Sequence, residues 1–152
     1  MLFLLKPELK NKNILLSLES DKTYKILGYE NELKQVILNL INNSKDAIVE
    51  QNEKLEKNNK FQGEINIKIL ENSKESVKVN ISDNGGGIPA KAIDKIFEPY
   101  FTTKGKNHGT GIGLYMSKTI IEKNMDGKLS VSNHNSGAVF EILLPVEEII
   151  EK

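Results

Sequence analysis

The 152-residue chain has no cysteine and no tryptophan, and all 21 of its basic residues are lysine. The missing cysteine excludes a disulfide scaffold, a Cys-ligated zinc site and a thiol nucleophile. The missing arginine excludes the planar guanidinium fork, so a cation meeting a phosphate must do so as a lysine point charge. Histidine is scarce too: His108 and His134 are the whole supply, too few for a multi-histidine metal centre. Charge of either sign is not in excess, with 21 acidic residues against 21 lysines, so no basic field marks a nucleic-acid footprint. Long apolar runs are absent as well. The opening stretch 1–5 is far too short for a membrane span and lacks the length and cleavage site of a signal peptide.

What is present fits one globular domain: 38% hydrophobic and 28% charged residues at a length that supports a real core. No repeat of 20 to 50 residues occurs. Residues 13–18 and 24–28 read as short strands separated by a polar turn at 19–22. A long helix over about 31–51 places Leu33, Val36, Ile37, Leu40, Ile41 and Ile48 on one face. The polar stretch 52–60 reads as a solvated loop. Ile65, Ile67 and Ile69, then Val77, Val79 and Ile81, alternate with period two and predict an antiparallel hairpin. A short helix at 90–95, a mobile loop at 98–110 and a second helix over 111–124 follow, the last with Leu114, Met116, Ile120 and Ile121 as packing residues. Two strands, 127–133 and 137–144, close the domain, and the tail 146–152 reads as a fraying helical turn. These elements predict one sheet with its helices on one face; a doubly wound parallel sheet fits the paired strands less well.

Four places carry chemistry. Asn39 and Asn43 stand at i, i+4 on the long helix, at the edge of its apolar stripe. An amide oxygen there suits a magnesium ion that keeps several waters and binds phosphates; the plainer explanation is a helix-edge pair in an asparagine-rich chain. Asp83-Asn84-Gly85-Gly86-Gly87-Ile88 follows a strand directly. An ionised aspartate only accepts hydrogen bonds and so suits an exocyclic amine, and the glycines permit close backbone approach; a flexible Asx turn would have the same residue types. Gly109-Thr110-Gly111-Ile112-Gly113-Leu114 opens the second helix and offers N–H groups to an anion, although it lacks the spacing of the dinucleotide fingerprint and of the lysine-bearing phosphate loop. Phe97-Glu98-Pro99-Tyr100-Phe101-Thr102-Thr103-Lys104, with Gly105 and Lys106 beyond, combines aromatic anchors with lysines able to reach phosphate.

Taken in chain order, with Phe97–Lys104 third and Gly109–Leu114 fourth, the four segments resemble the N, G1, F and G2 boxes of sensor histidine kinases, whose catalytic ATP-binding domain belongs to the gyrase/Hsp90/histidine kinase/MutL ATPase superfamily. The likeness covers roughly residues 10–145 of a chain read as a single catalytic domain over 1–152. It implies an α+β fold of Bergerat type: a two-layer α/β sandwich in which a mixed, mainly antiparallel sheet is backed by helices on one face. It implies ATP and Mg²⁺ as ligands. Asp83 would take the adenine amine, with Gly85, Gly87 and Ile88 around the base, and Asn43 would bind the metal. Asn39 would support the phosphate–metal region, and 98–110 would be the lid. Lys104, with Lys106 as the second candidate, would approach the γ-phosphate, and the backbone of Gly109, Thr110, Gly111, Ile112, Gly113 and Leu114 would hold the phosphates.

The resemblance also assigns a branch. Hydrolysing and serine-phosphorylating members are similar in placing a glutamate four residues before the metal asparagine. Here that residue is Asn39, and an amide is no general base at neutral pH. A neutral imidazole has its own lone pair, so transfer to histidine is favoured over hydrolysis. Glu32 and Glu98 lack the required offset, and Val139 replaces a threonine common in relatives. His108, in the lid segment, and His134, in a turn, read as surface residues. The expected acceptor is a histidine on a separate dimerisation domain of a parent protein, with a response regulator downstream, in the cytoplasm, and with neither nucleic acid nor membrane as a partner. A serine kinase or ATPase of the same superfamily, or a nucleotide-binding module without chemistry, are the alternatives.

Overall fold

The computed structural model describes residues 2–101 and 111–151. Five strands form one sheet in the order β1-β3-β4-β6-β5: β1 (Ile14–Ser20), β3 (Gly63–Ser73), β4 (Ser76–Asp83), β6 (Gly137–Pro145) and β5 (Lys128–His134). Only β1 and β3 run parallel, joined across the long helix α2 (Glu30–Glu53); the other three pairings are antiparallel. The mixed, mainly antiparallel sheet backed by helices therefore matches the expected fold class.

The core lies between the sheet and the helices. Val36, Leu40, Ile41 and Ile48 of α2 are fully buried against Ile65, Ile81, Phe140 and Ile142. Each such side chain contributes about 1.5–3 kcal/mol by leaving water. On the strands the period of two is strict: Ile65 and Ile67, Val77, Val79 and Ile81, and Phe140, Ile142 and Leu144 all turn to the helices. The β3–β4 pairing places Ile67 opposite Ile81, as the alternation requires.

Several expectations need correction. The helix α1 (Leu2–Asn11) was not foreseen; it buries Leu9 and packs on β1. The strands expected at 13–18 and 24–28 exist, but in different sheets, because β2 (Lys22–Lys25) pairs with the tail. That tail is the strand β7 (Glu148–Glu151), not a helical turn. Cross-strand charge explains the pairing: Lys22 faces Glu151 and Lys25 faces Glu148, with ion pairs of 3.0 and 3.4 Å. There are thus two sheets among the described residues, of five and two strands, not one.

The short helix α3 (Ala90–Ile93) falls where expected. The second long helix divides into α4 (Gly113–Thr119) and a π-helical turn, Ile120–Asn124. Ser117, not Met116, is on the buried face: Met116 is 46% exposed and Ser117 only 3%. The polar stretch after α2 contains a 3-10 turn, Lys57–Asn59, and is tied down by Asn52, whose amide bonds both the N–H and the C=O of Phe61 at 3.0 and 3.1 Å.

Candidate functional site

A cleft of ≈ 490 Å³ opens between α2, the end of β4 with its following loop, and β6. Asn43, Asp83, Gly85, Gly87, Ile88 and Leu114 all line it, so the structure brings together residues from three of the four segments. Ile96 and Phe140 add apolar wall.

Asp83 is the last residue of β4, where the strand pattern ends and the glycine run begins. Its Oδ1 accepts the N–H of Gly85 at 2.9 Å and that of Ala138 at 3.4 Å. Both bonds fall on one oxygen, which holds the carboxylate in one orientation; among the described residues Oδ2 accepts none. The chains approach closely here. A Cβ on Gly137 would lie 1.6 Å from the Asp83 carbonyl oxygen, so no other residue fits at the start of β6. The loop after Asp83 is held from the same side, with the Gly86 N–H donating to the Ser136 carbonyl at 2.7 Å.

On α2 the amide nitrogen of Asn43 donates to the carbonyl of Asn39 at 3.0 Å, which orients the side chain along the helix. Asn39 itself is not among the cleft-lining residues. Its amide turns to α4 and donates to Ser117 Oγ at 3.0 Å, and a Cβ on Gly113 would come within 2.5 Å of its Oδ1. The i, i+4 spacing therefore places the two amides on one face but gives them different neighbours. Leu114 reaches the cleft, while Gly111 accepts the N–H of Tyr100 on its carbonyl at 2.8 Å and so joins the two ends of the intervening segment. Lys104, Lys106, His108, Gly109 and Thr110 lie in that segment, outside the described residues, as does most of the loop expected to be mobile.

Phe97 anchors the segment's near end. Its ring stands edge-on to Phe140, centroids 6.4 Å apart, and Lys118 Nζ lies 4.7 Å above it. Lys118 also donates to the Leu129 carbonyl at 3.0 Å and pairs with Glu122 at 3.2 Å. Neither spare carboxylate belongs to the site: Glu98 is exposed, and Glu32 accepts from the Asn124 amide at 3.2 Å. His134 is exposed at the end of β5, as expected. Among the described residues no group of three or more His, Asp or Glu is placed to hold a metal ion.

Ser117 and Asn133 are two residues that the sequence did not single out. Asn133 Oδ1 accepts the Ile88 N–H at 2.8 Å and its Nδ2 donates to the Ile88 carbonyl at 2.7 Å. No local signal marks either, since each is defined by a partner distant in the chain.

Residues 28–148 match the family of histidine kinase-, DNA gyrase B-, and HSP90-like ATPases, and the chain belongs to that family. Within it, the relatives are sensor kinases. The chain is 39% identical over 130 residues to sporulation kinase A of Bacillus subtilis, covering 85% of this chain and 19% of that protein. It is 34% identical over 144 residues to the sensor histidine kinase ZraS of Salmonella typhimurium, covering 94% and 28%. The fold superposes on the catalytic domain of histidine kinase ThkA with a TM-score of 0.76 at 30% identity, covering 94% of this chain and 86% of that one. It also superposes on ThkA in a complex with the response regulator protein TrrA, with a TM-score of 0.68 at 27% identity, covering 94% and 37%. The chain is therefore a histidine kinase ATPase domain of the two-component sensor kinase kind, and it spans less than a third of the length of these curated relatives.

Proposed function

We propose that this chain binds ATP with Mg²⁺ and delivers the γ-phosphoryl group to a histidine on a separate dimerisation domain, as one step of two-component signalling. The observation that carries the reading is the convergence of Asp83, Asn43 and Leu114 on one cleft whose volume suits a nucleotide. The residues present fit the ligands. With Oδ1 engaged by two backbone N–H groups, Asp83 keeps an acceptor oxygen for the adenine amine, and Ile88, Ile96 and Phe140 offer apolar surface to a base. Asn43 supplies a hard carbonyl oxygen, and Mg²⁺ takes few protein ligands and keeps waters and phosphate oxygens. Bound there, Mg²⁺ would neutralise phosphate charge. In this reading Lys104 and Lys106 are the lid cations, and the backbone from Gly109 to Leu114 holds the phosphates.

Transfer needs no base from this chain. The imidazole lone pair attacks the γ-phosphorus in line, the N–P bond forms, and the bond to the β–γ bridging oxygen breaks to leave ADP. Asn39, an amide engaged with Ser117, would activate no water, so the domain should hydrolyse ATP slowly and should not label itself. The acceptor histidine belongs elsewhere in the parent protein, with a response regulator downstream, as ThkA has TrrA, and the work is done in the cytoplasm. No helix among the described residues is long and apolar enough to cross a membrane.

Calorimetric titration with a non-hydrolysable ATP analogue and Mg²⁺ tests the site. Asn43→Asp and Asp83→Asn should each weaken binding about 10- to 100-fold, the scale of a lost charge-assisted contact, with the fold intact. Unchanged affinity in both variants would sink the assignment. Mixing the chain with its parent's purified dimerisation domain and radiolabelled ATP tests the transfer. Label on a histidine is expected; label on a serine, or rapid multiple-turnover hydrolysis, points to another branch.

A further inference from the structure

We propose that Asn133 is the positioning residue of the nucleotide site: reaching from the β5–β6 hairpin, it holds the Gly87–Ile88 wall in place beside Asp83. The proposal rests on the nucleotide reading above.

Asn133 makes a two-point contact with the backbone of one residue. Its Oδ1 accepts the Ile88 N–H at 2.8 Å and its Nδ2 donates to the Ile88 carbonyl at 2.7 Å. A planar amide bonded to both groups of one residue mimics a neighbouring strand, and it does so where the loop after β4 has none. The contact is close-fitting. Gly87 has a φ of 80°, and a Cβ there would lie 2.8 Å from Asn133 Oδ1, so the left-handed turn and the clamp require the same glycine.

The position of Asn133 in the sheet links this wall to Asp83. Asn133 pairs with Ala138 across the β5–β6 ladder. Ala138 is the residue whose N–H reaches Asp83 Oδ1. One residue before it, Gly137 abuts the Asp83 carbonyl, and Ser136 accepts the Gly86 N–H. The group proposed to read the base and the wall proposed to flank it are thus both hung on one hairpin, by hydrogen bonds to Gly86, Ile88 and Asp83. Asn133 is not among the residues lining the cleft. It acts through Ile88, which is.

Both polar backbone groups of Ile88 are engaged with Asn133. The wall is therefore held so that the Ile88 side chain is what it offers to a base beside the Asp83 carboxylate. Losing the clamp would free a donor and an acceptor beside the base and loosen the loop at once.

The test compares wild type with Asn133→Asp, which keeps the shape and the acceptor but loses the donor, and Asn133→Ala, which loses both. Three readouts are taken on the whole chain: affinity for the Mg²⁺-bound non-hydrolysable ATP analogue by calorimetry, amide hydrogen exchange residue by residue, and phosphotransfer kinetics with the dimerisation domain. Both variants should bind the analogue at least about tenfold more weakly, the scale of one or two hydrogen bonds. The Ile88 amide should exchange at least tenfold faster while Ile67 and Ile81 in the sheet keep wild-type rates. KM for ATP should rise with kcat unchanged. The proposal is overturned if affinity stays within twofold of wild type while Ile88 exchange accelerates. It is also overturned if Ile88 exchange does not change, or if exchange accelerates across the whole sheet together with the loss of binding, since the effect is then one of global stability. Failure of the wild-type chain to bind the analogue would overturn the nucleotide reading itself and is visible before any variant is made.

Discussion

At the Asp83 end of the cleft, contacts run through the β4–β6 ladder or the hairpin attached to it, whereas at the Gly113 end two helices meet through single side chains. Asp83 is clasped by Gly85, Ala138 and the close-packed Gly137, and its following loop by Ser136 and Asn133. The α2–α4 side depends on the Asn39–Ser117 hydrogen bond, the Tyr100–Gly111 backbone bond and the Lys118–Phe97 stack. Ladder contacts form with the fold and are as cooperative as the sheet. Single side-chain contacts can break while the core stays packed, so that end is the one suited to local rearrangement. A substitution that forces the ladder backbone apart at the Asp83 end, as at Gly137, should therefore register as instability, whereas losing a single side-chain contact should register mainly as weaker binding in a folded protein.

The largest effect tests the first half of that statement. Gly137→Ala brings a Cβ to 1.6 Å from a carbonyl oxygen of the adjacent strand, and β4 and β6 must part. The expected cost is at least about 3 kcal/mol, in the range of severe core disruption. Urea unfolding followed by circular dichroism measures it, and a wild-type midpoint would show that the ladder end yields as easily as the helix end.

A pair of buried serines gives a smaller and sharper test. Ser117→Ala removes the acceptor of the Asn39 amide and should cost about 1 kcal/mol of stability, with a drop of roughly tenfold in nucleotide affinity, the equivalent of about 1.4 kcal/mol. Ser44, equally buried on α2, has no hydrogen-bond partner for its hydroxyl among the described residues. Ser44→Ala should therefore be neutral or stabilise by up to about 1 kcal/mol. The two variants measured side by side by urea unfolding should move in opposite directions, or one should move alone.

Lys118→Met removes the cation above Phe97 and one bond to Leu129. About 0.5–1 kcal/mol of stability should be lost, with a severalfold loss of analogue affinity if the Phe97 anchor matters to the cleft. A change in stability with no change in affinity would separate the anchor from the site.

The smallest effect lies outside both ends, in the two-stranded sheet, and serves as a control. Tyr24 donates its hydroxyl to Asp21 at 2.6 Å. Removal from water, and then that carboxylate, push the phenol up to about 12 from its ordinary 10.0. The folded chain holds this proton more tightly than the unfolded one. The resulting stabilisation is complete below pH 10 and is lost as pH rises through about 12. The difference in stability between wild type and Tyr24→Phe, measured across that window, should shrink with rising pH while analogue affinity at neutral pH is the same in both.

How legible all this was depended on how local the cause is. The strands β3 to β6 and the helix α2 follow from periodicity, because Ile65, Val77 or Leu40 must be buried whatever lies opposite. The Asp83 glycine loop was legible for a similar reason: strand pattern, carboxylate and flexible backbone are adjacent in the chain. The tail was misread because Glu148–Glu151 becomes a strand only when Lys22–Lys25 lies beside it. Met116 was misassigned because the buried face of α4 runs through Leu114 and Ser117 to Ile121, at i, i+3 and i+7, and Met116 lies to one side of it. The i, i+4 spacing of Asn39 and Asn43 specifies a helix face but not the neighbour each amide meets, so the Asn39–Ser117 contact was not legible.

The sequence by itself determined the chemistry available to this histidine kinase domain: no arginine, no thiol, no base at position 39, one carboxylate opening a glycine run. It also determined the family, through segments whose order is visible without a fold. The tertiary structure alone decided which of those groups share a cleft and what holds them there. Asn39 meets Ser117 across 78 residues and Asn133 meets Ile88 across 45. Contacts of that range arise only when the sheet and helices have packed, because their geometry comes from the ladder register and helix phase and not from any property of the two residues alone.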